Sequence, residues 1–240
     1  DNESKDYWSA SWQPVGKDLE EYKSECHHGT AYTRIIAQYA GISSEVLYYV
    51  PLDKSYEIWD LKVTNNSDKN RKLNVTGYAE FTNNCNYEQD QVNLQYSQFI
   101  TSTHFAGNRV MHHVHGNLDA LKESEYIDNK NVSMRFLGMA GQKVSSWCGS
   151  KEEFLGRYHD YSNPNGVING ALDNKGNYNG NGCGALTTEL ELALGETKEI
   201  IFIVGMKYDD EAAKIIARYD ENENVCEEEL VELKKFWHGK

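Results

Sequence analysis

The sequence predicts an all-β protein, a large antiparallel β-sandwich, with two short helices at its C-terminal end. Three observations support this fold class. Apolar and polar residues alternate in several segments, turn clusters separate those segments at regular spacing, and only 3 prolines accompany 19 glycines and 16 tyrosines in 240 residues. Alternation and aromatic enrichment are typical of half-buried strands. A chain of this length can bury a hydrophobic core, so we do not expect disorder.

Two pairs of segments have the alternation and the intervening turn of a β-hairpin. Trp59, Leu61 and Val63 alternate with polar residues, a turn cluster follows at 65–70, and residues 73–81 alternate again. Near the other end, segments 190–194 and 199–204 flank a turn at 195–197. Each pair is predicted to form a hairpin. Shorter β-type runs occupy 31–39, 45–50, 98–103, 110–114, 133–139 and the residues from 187 onward, whereas 163–166 and 173–184 are predicted loops.

The pattern changes after residue 206. Asp209 and Asp210 can cap a helix that runs through Tyr219. Segment 227–237 then has apolar side chains at helical spacing, namely Leu230, Leu233 and Trp237. Two helices are therefore predicted, and we expect the apolar stripe of the second to pack on a continuation of the chain.

Charge and hydropathy exclude two classes of partner. A formal net charge of −13 repels a phosphate backbone, so nucleic acid is not expected to bind. The longest apolar run, 200–206, is far shorter than the ~18 residues that cross a bilayer, so no membrane association is expected. The chain opens without a charged-then-apolar leader, and we expect a soluble, cytoplasmic protein.

The cysteines and histidines offer two candidate sites, each with a structural alternative. The five cysteines lack CxxC spacing and are predicted to be free, buried or idle thiols: Cys26, Cys85, Cys148, Cys183, Cys226. On a strand, His113 and His115 would share a face and could ligate one metal, but no further ligand follows closely. We therefore favour hydrogen-bonded rings and expect no metal.

A second candidate is a nucleophilic dyad in which Cys26 is activated by His27 or His28. Sequence neighbours on a strand point to opposite faces, which favours a structural role. Aromatic residues that could stack on sugar rings, or pack in the core, occur in two segments: Tyr7, Trp8, Trp12, Tyr48, Tyr49. Nucleotide-binding and nucleophile-elbow motifs do not occur in the sequence. The residues by themselves thus predict a soluble all-β domain, with a free-standing carbohydrate-binding module as one possible function.

Several ordered strings closely resemble a known family. They are DYWSASWQPV at 6–15, ECHHGTAYTRI at 25–35, YVPL at 49–52, VTNNS at 63–67, AEF at 79–81, DQVNLQ at 90–95, FLG at 154–156, LGE at 194–196 and FIVG at 202–205. In order and spacing these strings resemble the N-terminal domain of glycoside hydrolase family 94, the family of cellobiose phosphorylase and its relatives.

The resemblance implies a domain organisation. Residues 1–206 would form a β-sandwich of the supersandwich, galactose-mutarotase-like type. Residues 207–240 would begin a helical linker to an (α/α)6 catalytic barrel that this sequence does not include. The family's general acid is an aspartate in a Trp-Asn-Asp string of the barrel, and that string does not occur here. We therefore expect no catalytic residue in this chain and no activity of the isolated chain.

The resemblance also implies a reaction. It is an inverting phosphorolysis, in which a carboxylic acid protonates the glycosidic oxygen while inorganic phosphate, the co-substrate, attacks the anomeric carbon. A β-linked glucose disaccharide or oligosaccharide would give α-glucose 1-phosphate, and no other cofactor is expected.

In this family the sandwich is implied to serve homodimerisation and to shape the acceptor side of the active site. The candidate substrate-binding loop consists of Asp90, Gln91, Asn93, Gln95 and Tyr96. Amide side chains suit sugar hydroxyls, and a tyrosine ring can stack on a sugar. Cellobiose-specific members have Arg where this sequence has Tyr96, so cellodextrin, laminaribiose and other β-glucosides stay open as substrates.

Overall fold

The computed structural model describes residues 1–83, 92, 94–115 and 134–239. It confirms an antiparallel sandwich of two sheets, with the strand order β1-β2-β3-β4-β11-β8-β7-β6 in the large sheet and β5-β10-β9 in the small one. The strands are β1 (Lys23–His28), β2 (Tyr32–Tyr39), β3 (Ile42–Tyr49), β4 (Tyr56–Asn65), β5 (Arg71–Glu80), β6 (Thr101–Phe105), β7 (Arg109–Val114), β8 (Met134–Ala140), β9 (Ser146–Ser150), β10 (Gly182–Leu192) and β11 (Thr197–Gly205). The helices are α1 (Leu94–Phe99), α2 (Lys151–Leu155), α3 (Asn165–Ile168), α4 (Asp209–Glu221) and α5 (Val225–His238).

The large sheet is apolar on both faces. On β4, Leu61 and Val63 point toward the small sheet and pack in the core between the sheets. Ile58, on the same strand, points the other way and packs against α4 and α5. The outer face of the small sheet is covered in turn by α2 and its flanking loops, around Phe154. The molecule therefore has four layers: helices, large sheet, small sheet and a helix-loop layer.

Neither predicted hairpin forms. β4 pairs with β3 and β11, whereas β5 pairs with β10, so β4 and β5 lie in different sheets. The same holds for β10, in the small sheet, and β11, in the large one. Alternation in a sequence shows that a strand is half-buried, but it does not show which strand lies beside it. Each of the two turn clusters, at 65–70 and 195–197, is therefore a crossing, a connection that carries the chain from one sheet to the other.

Asn65 joins the two crossings. Its side-chain Nδ2 donates to the backbone carbonyls of Lys69 (2.8 Å), Leu192 (3.1 Å) and Ala193 (3.1 Å). Its Oδ1 accepts from the backbone N–H and the hydroxyl of Ser67. Asn65 is 0% exposed and its bond to the Leu192 carbonyl is fully buried, so that carbonyl would lose its side-chain donor in the interior if the Asn65 side chain were lost.

Two further segments differ from the sequence prediction. Segment 98–103 does not form one β run, because α1 extends to Phe99 and β6 begins at Thr101. The predicted loop at 163–166 includes the first residues of α3, a single helical turn. Strands β1 and β9 were not predicted, because β1 is fully exposed and β9 is only five residues long, so neither has a clear alternation.

Both C-terminal helices form as predicted, with two corrections. Asp209 and Asp210 lie in the first turn of α4 after the N-cap residue Tyr208, where their charge favours the helix dipole, and they do not cap it. Leu230 and Leu233 of α5 are buried against the large sheet, not on a continuation of the chain. Of the predicted stripe only Trp237 is substantially exposed. No described helix is long and apolar enough to cross a membrane.

Glu229 fixes α5 on the sheet. It is 5% exposed, and its carboxylate accepts hydrogen bonds from the hydroxyls of Tyr49 (2.8 Å) and Tyr219 (3.0 Å). The Arg218 guanidinium lies 2.7 Å from the same carboxylate. A buried charge is tolerated when it is paired and hydrogen-bonded in this way.

Asp60 lies on the same face of the sheet, near Cys226 at the start of α5, and is buried. Burial, followed by the nearby Glu199 carboxylate, raises the pKa of Asp60 to about 7. Lys62 Nζ lies 3.3 Å from Glu199 and 3.8 Å from Glu227 of α5. One lysine thus faces three carboxyl groups, and Asp60 retains its proton up to neutral pH.

Loss of the Asn65 side chain is expected to destabilise the sandwich. Asn65→Ala removes the buried donor to the Leu192 carbonyl and two partly buried donor contacts, and it should lower the free energy of unfolding by about 1–3 kcal/mol in urea titrations. The matched control is Asn66→Ala at the exposed neighbouring position, which should change it by less than about 0.5 kcal/mol. Equal effects of the two substitutions would contradict the role of Asn65.

The buried Asp60 predicts a particular pH dependence. Its folded pKa is raised from an unfolded value of about 3.9, so folding takes up a proton, and stability falls as the pH rises from about 4 to about 7. We expect Asp60→Asn to remove this slope and to raise the free energy of unfolding at pH 8 by about 2 kcal/mol. Unfolding of wild type, Asp60→Asn and the exposed-turn control Asp68→Asn between pH 4.5 and 8 measures the effect. The expectation fails when wild type and Asp60→Asn show parallel pH profiles.

Candidate functional site

Of the predicted substrate-binding residues, the structure describes Gln95 and Tyr96, which lie in the helix just before β6 at the edge of the large sheet. Asp90, Gln91 and Asn93 lie outside the described residues. Gln95 and Tyr96 belong to α1, so this part of the predicted loop is helical, and Gln95 is exposed to solvent. The chain leaves α1 through a single residue, Ile100, and continues directly into β6.

Two side chains tie α1 to the rest of this edge. Gln98 Nε2 donates to Asn181 Oδ1 at 3.0 Å, and Asn181 Nδ2 donates to Glu152 Oε1 of α2 at 2.6 Å. α2 is itself capped by Ser150, whose hydroxyl accepts from the backbone N–H of Glu153. A chain of side-chain hydrogen bonds therefore joins α1 to α2 through the loop that precedes β10.

That loop lies flat against β6. The N–H of Thr103 donates to the carbonyl of Asn177 (2.8 Å), and the N–H of Asn179 donates to the carbonyl of Thr101 (3.1 Å). The N–H of Asn177 also donates to the Thr103 hydroxyl at 2.7 Å. A Cβ on Gly176 would lie 2.3 Å from the Thr103 carbonyl oxygen, so only glycine permits this close approach. The predicted loop character of segment 173–184 is confirmed as far as residue 181.

The histidine cluster divides between the two faces of β7. His112 faces inward, is 0% exposed and lies 2.9 Å, through Nε2, from Asn83 Oδ1. Burial, followed by the Arg135 charge, lowers its pKa to about 3, so the ring is neutral and structural. His113 and His115 face outward with ring centroids 4.0 Å apart.

One of the two outward rings, that of His115, forms a hydrogen bond within the sheet edge. His115 Nε2 lies 2.8 Å from the Ser102 hydroxyl. Burial, followed by the neighbouring His115 and His104, lowers the pKa of His113, which keeps that ring neutral at neutral pH. Within the described ranges, no group of three or more His, Cys, Asp or Glu side chains could hold a metal ion.

Of the two histidines considered for a dyad with Cys26, the structure brings His28 to the thiol. Cys26 Sγ lies 3.4 Å from Nε2 of His28, two residues along β1 on the same face, whereas His27 contacts Glu25 at 3.3 Å. All of these residues are exposed on an edge strand. The described cysteines are free thiols, with Cys148, Cys183 and Cys226 buried; Cys85 lies outside the described residues.

A groove of about 510 Å³ lies between the N-terminal segment and β5. Tyr7 and Trp8 line it, but its floor is aliphatic, formed by side chains such as Ile42 and Leu61 of the large sheet. Trp12 lies outside the groove and donates its indole N–H to the carbonyl of Lys17. Of the N-terminal aromatic residues, Tyr7 and Trp8 thus line the groove, together with Tyr78 and Tyr161.

Comparison with known protein families identifies the family that shares this architecture. The family model described as glycosyl hydrolase 94, supersandwich domain, matches residues 1–222. The chain belongs to glycoside hydrolase family 94. The fold expected from the sequence strings is thus the family's supersandwich, and the match extends through α4.

Individual members of family 94 resemble the chain over most of its length. The N,N'-diacetylchitobiose phosphorylase of Vibrio furnissii is 29% identical over 237 residues, 99% of this chain and 28% of that protein. The enzyme of the same name from Vibrio proteolyticus is 30% identical over 86% of this chain and 24% of its own length. The solabiose phosphorylase of Paenibacillus borealis is 28% identical over 72% of this chain and 21% of its own length. The chain thus spans about a quarter of the length of the curated relatives it matches.

Several residues of this edge were missed by the sequence analysis. Gln98 lies about 80 residues before Tyr178 and Asn181 in the chain, and it meets Asn181 only because the loop packs on β6. The single sequence signal was the concentration of Asn and Gly in segment 173–184, which indicated a loop but not its position.

The hydrogen-bond chain through Asn181 is expected to hold α1 in place. Asn181→Ala removes both bonds and should increase the amide hydrogen exchange rate of residues 94–99 by about five- to tenfold. Hydrogen-deuterium exchange with mass spectrometry measures this, with Lys175→Ala in the exposed part of the same loop as the control. Unchanged exchange in α1 would show that Asn181 does not support the helix.

Proposed function

We propose that this chain is the sandwich portion of an inverting glycoside phosphorylase, which cleaves a β-linked disaccharide or oligosaccharide with inorganic phosphate. The observation that carries the proposal is the membership of family 94 together with similarity to an N,N'-diacetylchitobiose phosphorylase over 99% of the chain. The whole reaction belongs to the longer protein, because the chain corresponds to 28% of that relative.

The proposed chemistry requires a carboxylic acid beside the glycosidic oxygen and a phosphate on the opposite side of the sugar ring. The most strongly perturbed carboxyl group described in this chain, Asp60, is buried beneath α5 and has no access to a sugar. This supports the expectation that the general acid lies in a barrel domain elsewhere in the longer protein. The isolated chain should therefore bind or position substrate without cleaving it.

The substrate class extends beyond the glucosides expected from the sequence. The similar enzymes are named for N,N'-diacetylchitobiose and for solabiose. We take N,N'-diacetylchitobiose as the first substrate to test, followed by cellobiose, laminaribiose, cellodextrins and solabiose. The product would be the α-anomer of the sugar 1-phosphate, because a single displacement at the anomeric carbon inverts a β-linkage.

The sandwich would shape the acceptor side of the active site and contribute to a homodimer in the cytoplasm. One contact supports the first role, the hydrogen bond from Gln98 to Asn181. The exposed Gln95 stands on a helix that Gln98 and Asn181 hold against the sheet edge, and a side chain on a fixed helix can orient a sugar at low entropic cost.

Phosphorolysis by the longer protein is the direct test. We expect sugar 1-phosphate release from at least one of the five sugar types in the presence of phosphate, and none from the isolated chain. Proton NMR of the product should show the α-anomer. Release of the β-anomer, or no release from any sugar, would contradict the proposal, and glucan binding by an inactive protein would instead favour a carbohydrate-binding module.

A further inference from the structure

A row of side chains crosses the β6 edge on one face of the large sheet. His113 of β7 is the register partner of Ser102 of β6. On the other side of β6, Ser102 forms an antiparallel bridge with Tyr178. Directly paired residues of neighbouring strands point to the same face, so His113, Ser102 and Tyr178 lie side by side.

The bridge brings Tyr178 close to Ser102. The backbone hydrogen bonds join the neighbours of these two residues, from the N–H of Thr103 to Asn177 and from the N–H of Asn179 to Thr101. Ser102 and Tyr178 themselves exchange no backbone hydrogen bond, so they form what is called a non-hydrogen-bonded pair. Side chains of such a pair are closer together than those of a hydrogen-bonded pair. The Tyr178 side chain is thus carried by a segment whose backbone is fixed on both sides of it.

This face is exposed where the C-terminal helices end. At the start of β7, Arg109 lies 2.8 Å from Asp209 of α4, and Met111 is 0% exposed in the core that includes the helices. Two residues further, His113 is half-buried, and His115 is exposed. Tyr178 is 77% exposed.

The exposed patch formed by Tyr178, His113 and His115, together with Ser102, has side chains that suit a neutral sugar. An exposed tyrosine ring on a fixed backbone offers an apolar surface for the C–H face of a pyranose, and its hydroxyl can bond to the hydroxyl groups of the sugar. Ser102 and His115 are already joined at 2.8 Å, and both groups can donate and accept hydrogen bonds. The ring of His113 is neutral, and the protein as a whole carries a net charge of −13, so an anionic ligand is disfavoured.

We propose that Tyr178, with Ser102, His113 and His115, forms a binding surface for one neutral sugar ring of an oligosaccharide substrate. Tyr178 is the stacking platform and the two imidazoles contact hydroxyl groups, whereas Ser102, which is only 8% exposed, orients His115 through their 2.8 Å hydrogen bond. The surface adjoins α1 through Asn181, three residues after Tyr178, which bonds to Gln98. The assignment of that sugar to the acceptor side rests on the proposed phosphorylase function, whereas sugar binding itself does not.

The test compares single substitutions in the longer protein. Tyr178→Ala should raise both the Kd for the disaccharide, measured by isothermal titration calorimetry, and the KM for the acceptor sugar in the synthetic direction by about five- to tenfold. kcat and the thermal midpoint should not change, because the ring is exposed. Tyr178→Phe keeps the platform and should stay within about twofold of wild type, and His115→Ala should raise KM by about two- to fivefold.

Tyr158→Ala is the matched control, because Tyr158 is fully exposed in a turn that makes no contribution to the patch. It should leave Kd and KM unchanged. Unchanged values in Tyr178→Ala, or a wild-type protein that binds none of the sugars, would overturn the inference. Absence of sugar 1-phosphate together with a Kd that depends on Tyr178 would refute the phosphorylase function alone.

Discussion

The eight-stranded sheet carries apolar side chains on both faces, and both faces must be kept from water. The small sheet covers one face, where Leu61 and Val63 meet its inner residues. The C-terminal helices cover the other, where Ile58 packs with Ile216 and Leu233. Apolar burial on this scale is the main favourable term in folding, so the helices belong to the hydrophobic core of the sandwich and not only to a connection.

Polar groups set the position of these layers more than they add to stability. Glu229 accepts from Tyr49 on the sheet and from Tyr219 on α4, so only one placement of α5 satisfies its carboxylate. Asn65 has the same role between the two crossings, because its amide fits carbonyls from both connections. Buried polar groups of this kind penalise any other arrangement, since each lost bond leaves an unpaired group in the interior.

The proposed functional surface begins where the helix cover ends. Beyond Met111 the outer face of β7 is open, and histidine replaces apolar residues at the next two outward positions, His113 and His115. The loop that carries Tyr178 and Asn181 closes this edge and fixes α1. A rigid sheet thus positions exposed polar and aromatic groups at one edge, which is a common way for a sandwich to recognise ligands.

The sequence by itself determined most of the strands, the two terminal helices and the family, because period-two and helical patterns are local and the motif strings are contiguous. It did not determine that β4 and β5 lie in different sheets, since alternation specifies a buried face and not a neighbour. It also could not show that Cys26 contacts His28 instead of His27, that α1 is helical, or that Leu230 packs inward. The row of His113, Ser102 and Tyr178 joins three separate segments through backbone pairing. Only the tertiary structure shows this row, because which strand and loop pair with β6 depends on the arrangement of all the strands in the two sheets.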